Sequence, residues 1–269
     1  MILLEDMDRS EKTLFRIREL FTAYDEQVVH DRISFDIYNG ELLMIIGLNG
    51  QGKSSLIRKL STRQIPTRGQ IFFKGRDISD FSEDEVNSFK RGLGYVFQSS
   101  ALFTTNFETG SYATALDNVA APLRLRDDTS LTERGILDRS IVALKTVGVR
   151  EVDFNKYVRD LSGGTKKRIA IAREIVCEPE VIFYDEPTAE LDPPAKEQIA
   201  GLIMKLGEEK INGRKRTSIV VTNDPLLSKI VKGRIGLLYN GQFCVYDSLN
   251  ACMNNRENPA VNVYFPSAS

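Results

Sequence analysis

Two stretches of the chain carry residue types that could act on phosphate. The first is Gly47-Leu48-Asn49-Gly50-Gln51-Gly52-Lys53-Ser54-Ser55, which fits the spacing G-x-x-x-x-G-K-[ST] of a nucleotide-phosphate loop. Glycines let successive backbone N–H groups turn inward on phosphate oxygens without a Cβ in the way. A helix starting near Lys53 adds free N–H groups and a partial positive charge. Lys53 is expected to reach the β- and γ-phosphates, and Ser54 to place a hydroxyl on Mg²⁺. Gly47, Asn49, Gly50, Gln51, Gly52 and Ser55 make up the rest of the expected cradle. The second stretch, Val181-Ile182-Phe183-Tyr184-Asp185-Glu186, is an apolar run ending in two carboxylates. Asp185 there suits a share in holding Mg²⁺, and Glu186 suits taking a proton from an attacking water.

The flanking residues indicate what must position these groups. Leu42-Leu43-Met44-Ile45-Ile46 is a continuous apolar run, the pattern of a buried parallel strand, and Leu56-Ile57-Arg58-Lys59-Leu60 reads as helix. Ile33, Phe35 and Ile37 alternate with polar residues in a half-buried strand, and Gln70–Gly75 reads as a strand ending in a turn. From about residue 98 to 160 helical patterns dominate, with Ile136, Ile141, Leu144 and Val147 in step. Short β-type runs then return at 181–184, 218–222 and 235–239, with a helix over Ala195–Glu209 between them. Strands alternating with helices imply a parallel sheet covered on both faces, and ligands of such sheets bind at the carboxyl ends of the strands. The helical stretch reads as an inserted sub-lobe.

The chain has 269 residues, 42% hydrophobic and 27% charged, enough for a sizeable core. A formal net charge of −1 argues against broad nucleic-acid or anionic-membrane binding. No apolar run approaches the ~20 residues of a membrane span. Met1-Ile2-Leu3-Leu4-Glu5-Asp6 lacks the basic start and apolar stretch of a signal peptide. Cys177, Cys244 and Cys252 are odd in number and lack metal-ligand spacing, which suits reduced thiols in a cytosolic protein. The single histidine, His30, has no motif around it and is expected to be structural, solvated or hydrogen-bonded.

A third motif, Leu161-Ser162-Gly163-Gly164-Thr165-Lys166-Lys167-Arg168, opens a helix with Ile169, Ala172, Ile175 and Val176 on one face. Here the chain resembles the ATP-binding-cassette superfamily, whose signature is LSGG. Other marks follow in family order: Tyr24 at the place of an adenine-stacking aromatic, Gln98 in Tyr95-Val96-Phe97-Gln98, and Pro187–Asp192 after Glu186. The resemblance spans about residues 14–248. It implies a P-loop NTPase of α/β class, with a mainly parallel core sheet, an N-terminal antiparallel β-subdomain and an inserted α-helical subdomain. The implied divisions are a core over 14–97 and 161–248, a helical subdomain over 98–160 and a tail over 249–269. It further implies ATP and Mg²⁺ as ligands, with Ser54, Gln98 and Asp185 at the metal and Glu186 polarising water. Ser162, Gly163 and Gly164 would serve the nucleotide of a second copy of the chain, because a helix start with glycine N–H groups is an anion site. The energy of hydrolysis would pass to an integral membrane permease, which places the subunit on the cytoplasmic face of the membrane.

The segments Phe97–Phe103 and Asp117–Arg124, and the tail Asn258–Phe265, are similar to the ATPases of Mla-type lipid transporters, which work with MCE-domain proteins. Amino-acid importer cassettes share part of this pattern and supply a rival reading. The chain departs from the family at Val221-Thr222-Asn223-Asp224, where most cassettes have a histidine before the aspartate. Asn223 can donate a hydrogen bond but never carries positive charge. Slowed hydrolysis is expected, and a nucleotide-gated subunit with little turnover is the second rival. Cassette proteins of DNA repair or translation usually carry two cassettes or large insertions, which this chain lacks. Thr104–Leu116 is longer than related cassettes need, which suits a tolerated surface loop or a docking element for a partner. Val261, Val263, Tyr264 and Phe265 either fold back on the chain or, as the resemblance favours, reach a second cassette or a small regulatory subunit.

Overall fold

The computed structural model describes residues 12–25, 27–106, 108–126, 131–211 and 213–266. The N-terminal start read above, Phe107 of the long loop and the last three residues lie outside them. The chain opens with two long strands, β1 (Thr13–Tyr24) and β2 (Gln27–Tyr38), then β3 (Leu42–Ile46), the glycine loop and helix α1 (Lys53–Leu60). Strands β4 (Arg68–Phe73) and β5 (Arg76–Asp77) precede α2 (Glu83–Arg91) and β6 (Leu93–Val96). Helices α3 (Ala115–Arg124), α4 (Glu133–Thr146) and α5 (Gly163–Ile175) lead into β7 (Val181–Asp185). The last part holds α6 (Pro193–Glu208), the ribbon β8 (Lys210–Ile211) and β9 (Arg214–Lys215), and β10 (Thr217–Thr222). It ends in α7 (Pro225–Ile230), β11 (Arg234–Tyr239), β12 (Gln242–Tyr246), α8 (Leu249–Asn254) and α9 (Pro259–Tyr264).

The central sheet runs β12-β11-β3-β10-β7-β6, and only the β11–β12 pair is antiparallel. A second sheet, β2-β1-β4-β5, is antiparallel throughout. The period of two along a strand divides the core between them. Met44 and Ile46 of β3 join the helices in one cluster, while Leu43 and Ile45 join the antiparallel sheet in the other. Ile182 and Tyr184 against Val181 and Phe183 in β7 repeat the split. The α/β class with its antiparallel N-terminal sheet is therefore what the chain adopts. The apolar runs of β3, β7 and β10 are continuous, not alternating, because both faces of the central sheet are covered.

Two expectations need correction. Helix does not fill residues 98–114: the segment is irregular, and helical structure starts at Ala115. A Thr105–Tyr112 bridge and the bond from the Asn106 N–H to the Ser111 carbonyl (2.8 Å) draw the two sides of this stretch together. It ends at Thr114, whose hydroxyl and backbone exchange bonds with Asp117 in a capping box that starts α3. The tail is the second correction. Val261, Tyr264 and Phe265 are buried in the chain's own core, and only Val263 of the four stays exposed, at 43%. Asn258 caps α9 and Pro259 fits its first turn, so the tail turns back onto β11. Burying each large apolar side chain contributes about 1.5–3 kcal/mol, enough to favour the fold-back without a partner.

Candidate active site

The glycine loop joins the end of β3 to α1. Gly52 caps α1 in the left-handed region, at φ 92°. A Cβ there would lie 2.0 Å from Val29 Cγ1 and 3.0 Å from His30 Nε2, so strand β2 packs directly under the loop. A Cβ on Gly47 would meet the Leu238 carbonyl oxygen at 2.4 Å, which fixes the loop's other end against β11. Asn240, just past β11, donates its N–H to Gln51 Oε1 at 2.7 Å.

A cavity of about 530 Å³ opens over this loop. It gathers most of the expected residues: Asn49, Gly50, Gly52, Lys53, Ser54 and Ser55 from the loop, Tyr24 from β1, and Gln98, Glu186 and Asn223 from loops after β6, β7 and β10. The parallel order places these loops side by side, because β7 and β10 are neighbours and β10 pairs with β3. Asp185 stands behind the cavity wall, accepting from Ser54 Oγ at 2.6 Å and from the Tyr95 hydroxyl at 3.1 Å. One carboxylate, a serine hydroxyl and a glutamine amide are hard oxygen donors, which suits Mg²⁺ held jointly with phosphate oxygens.

Lys53 is 5% exposed and donates to the carbonyls of Gly47 and Leu48, each at 2.9 Å. Its ammonium lies 3.7 Å from Glu186 Oε1. Burial draws its pKa below the usual lysine value, with Glu186 and Asp185 opposing. Glu186 is pushed the other way: burial raises its pKa, against the Asn223 N–H bond and the Lys53 charge. A carboxylate nearer neutrality is a better proton acceptor for water. Glu186 also holds φ 46° immediately after β7, a left-handed conformation that costs on the order of 1–3 kcal/mol outside glycine. Its Oε2 accepts the Asn223 N–H at 3.1 Å, and the Asn223 side-chain amide donates to Asn49 Oδ1. Asn223 thus links the carboxylate to the glycine loop.

Ser162, Gly163 and Gly164 are not part of this cavity. They line a separate one of about 370 Å³ with Thr165, Glu190 and Asp192. Ser162 caps α5, its hydroxyl accepting the Thr165 N–H at 3.3 Å, and both Ser162 and Gly163 face solvent. The glycine loop and the Ser162 helix start therefore open on two separate cavities of the chain.

The sequence did not place His30, Lys167 or Lys59 at the site, although it read His30 as structural, solvated or hydrogen-bonded. His30 is fully buried, not solvated, and its Nε2 lies 3.1 Å from the Gly52 carbonyl oxygen. Burial pulls its pKa down to about 4, so the ring is neutral. Lys167, 2% exposed on α5, donates to the carbonyls of Phe97 at 3.2 Å and Gln98 at 2.6 Å. It ties the signature helix to the loop bearing Gln98, and burial lowers its pKa to about 8. Lys59 reaches Tyr24, whose ring is half exposed at the cavity edge. No local motif flags these three; a charge or imidazole inside an apolar pattern was the only signal.

Comparison with known proteins gives three kinds of likeness. The profile of the ABC transporter family matches residues 30–189. The intermembrane phospholipid transport system ATP-binding protein MlaF of Haemophilus influenzae is 32% identical over 213 residues, 79% of this chain and 75% of MlaF. The methionine import ATP-binding protein MetN of Clostridium tetani is 32% identical over 234 residues, 87% of this chain and 69% of MetN. Among solved structures, the dimeric post-hydrolysis state of the cassette MJ0796 bound to ADP and Pi superposes with a TM-score of 0.74 at 28% identity. It covers 87% of this chain and 98% of that one.

Proposed function

Because the chain belongs to the ABC transporter family, as an ATP-binding and ATP-hydrolysing subunit, we propose that it powers a membrane permease that moves phospholipid between membranes. The observation that carries the ATPase part is the meeting of Lys53, Ser54, Gln98, Glu186 and Asn223 at one cavity. In this reading Lys53 and the loop N–H groups hold the β- and γ-phosphates, and Tyr24 stacks on adenine. Ser54, Gln98 and Asp185 hold Mg²⁺, which neutralises phosphate charge when bound. Glu186 orients water for in-line attack and takes its proton, while the Asn223 N–H fixes the carboxylate. Ser162 and the N–H groups of Gly163 and Gly164 complete the site on a second copy, so that ATP joins two chains. Asn223 permits turnover at a reduced rate. A neutral hydrogen bond in place of a charge-assisted one forfeits part of about 1.5–3 kcal/mol, a slowing on the order of ten- to a hundredfold.

The lipid reading is supported by the segments 97–103 and 117–124 and by the likeness to MlaF. An MCE-domain protein and a small regulatory subunit would be further partners. Import of methionine or another small solute is the second reading, favoured by equal identity to MetN. The complex captured from membranes through this chain and reconstituted in liposomes separates them. Phosphate release stimulated by phospholipid and not by methionine supports the first; the reverse overturns it. Release no greater than that of Glu186→Gln would overturn turnover itself.

A further inference from the structure

A buried ammonium sits beside the cavity with no carboxylate to balance it. Lys59 lies one helical turn after Ser55 on α1, so both side chains share a face. It is 1% exposed, and no ion pair among the described residues includes it. Its three protons meet three neutral acceptors: Ser55 Oγ at 2.9 Å, the Tyr24 hydroxyl at 3.3 Å and Gln64 Oε1 at 3.5 Å. These acceptors also bind one another. The Tyr24 hydroxyl is 2.7 Å from Ser55 Oγ and donates to Gln64 Oε1 at 3.0 Å. The ammonium is 5.4 Å from the centre of the Tyr24 ring.

Burying an unpaired charge is costly, so such a group is retained where its hydrogen bonds matter. Here all of them converge on the polar end of one aromatic ring. Tyr24 as a whole is 46% exposed and lines the cavity. Strand β1 alone leaves the ring its rotamers; the hydroxyl anchor removes them.

We propose that Lys59 is a positioning residue that sets the affinity of the cavity for a purine nucleotide by locking the Tyr24 ring through its hydroxyl. The inference rests on the reading of Tyr24 as the platform for the base. An ammonium drawing electron density from the phenol also leaves a ring better suited to an electron-rich purine. Freezing one side chain in advance is worth about a three- to tenfold gain in affinity, because the ligand no longer has to order it.

The test is calorimetric titration of the full chain, on a Glu186→Gln background, with ATP and with inorganic tripolyphosphate. Lys59→Met is expected to weaken ATP about three- to tenfold and leave tripolyphosphate within about twofold. Tyr24→Phe, which keeps the buried charge but loses the hydroxyl, should match it. The double variant should be no worse than either, because both remove one anchor. Thermal unfolding of each variant reports folding independently. Lys59→Met losing ATP and tripolyphosphate equally, or losing neither while Tyr24→Ala loses ATP, overturns the role of Lys59. Tyr24→Ala binding ATP like the parent overturns the platform itself.

Discussion

The two proposed anion sites of this chain are built in opposite ways. At the glycine loop Lys53 is buried and bonded to the loop carbonyls, burial shifts the pKa of both Lys53 and Glu186, and Glu186 is held in a strained backbone. Around Ser162 the serine and Gly163 face solvent, and the serine hydroxyl bonds the N–H and the hydroxyl of Thr165. One site is preorganised for chemistry; the other is a surface shaped to be covered. In the proposed reading, chemistry becomes available when a second chain supplies the cover, and hydrolysis then depends on assembly.

That contrast can be broken experimentally. The largest effect belongs to the preorganised site: Glu186→Gln should reduce phosphate release by about a hundred- to ten-thousandfold while ATP still binds. Mixing comes next. Lys53→Ala and Ser162→Arg should each be inactive alone. Their mixture should regain roughly a quarter of parental activity, because mixed dimers keep one intact composite site. No recovery would mean that the signature serves something other than the partner's nucleotide. A smaller change is expected in the other direction from Asn223→His. A charged donor at that position should raise turnover about tenfold, seen as kcat with little change in KM.

The smallest predicted effect concerns stability and touches only the buried site. His30 is neutral when folded, with a pKa of about 4 against 6.5 for a free histidine. The unfolded chain therefore binds more protons between those values, so this contribution is whole above pH 6.5 and is lost as pH falls toward 4. Urea unfolding at pH 7 and at pH 4.5 should differ by roughly 2–3 kcal/mol less in His30→Leu than in the parent. An equal difference in both would show that His30 is not part of the acid sensitivity.

The sequence was informative where chemistry is local. The glycine loop, the carboxylates after β7 and the LSGG helix start are each contiguous, and each fixes its backbone by nearby steric and capping rules. Ser82 with Glu85 and Thr114 with Asp117 are capping boxes of the same local kind. The placement of Lys59, Lys167 and His30 beside the loop was not legible for the converse reason. Their partners Tyr24, Gln98 and Gly52 lie on other elements, and an isolated lysine in a helix normally reads as solvated surface. The tail misled because its apolar residues sit in a polar stretch too short to show a period. Only the groove beside β11 reveals that they have somewhere to go.

The order of strands has one more consequence, for the chain during its synthesis. β3, which leads into the glycine loop, lies between β10 and β11 and pairs with no strand made near it in time. At typical elongation rates its neighbours emerge from the ribosome roughly ten to thirty seconds later. Until then β3 has no strand of the central sheet to pair with, and the loop lacks the β11 side that holds Gly47. A chain stopped before residue 217 therefore lacks both strands that flank β3 and the loop that carries Asn223.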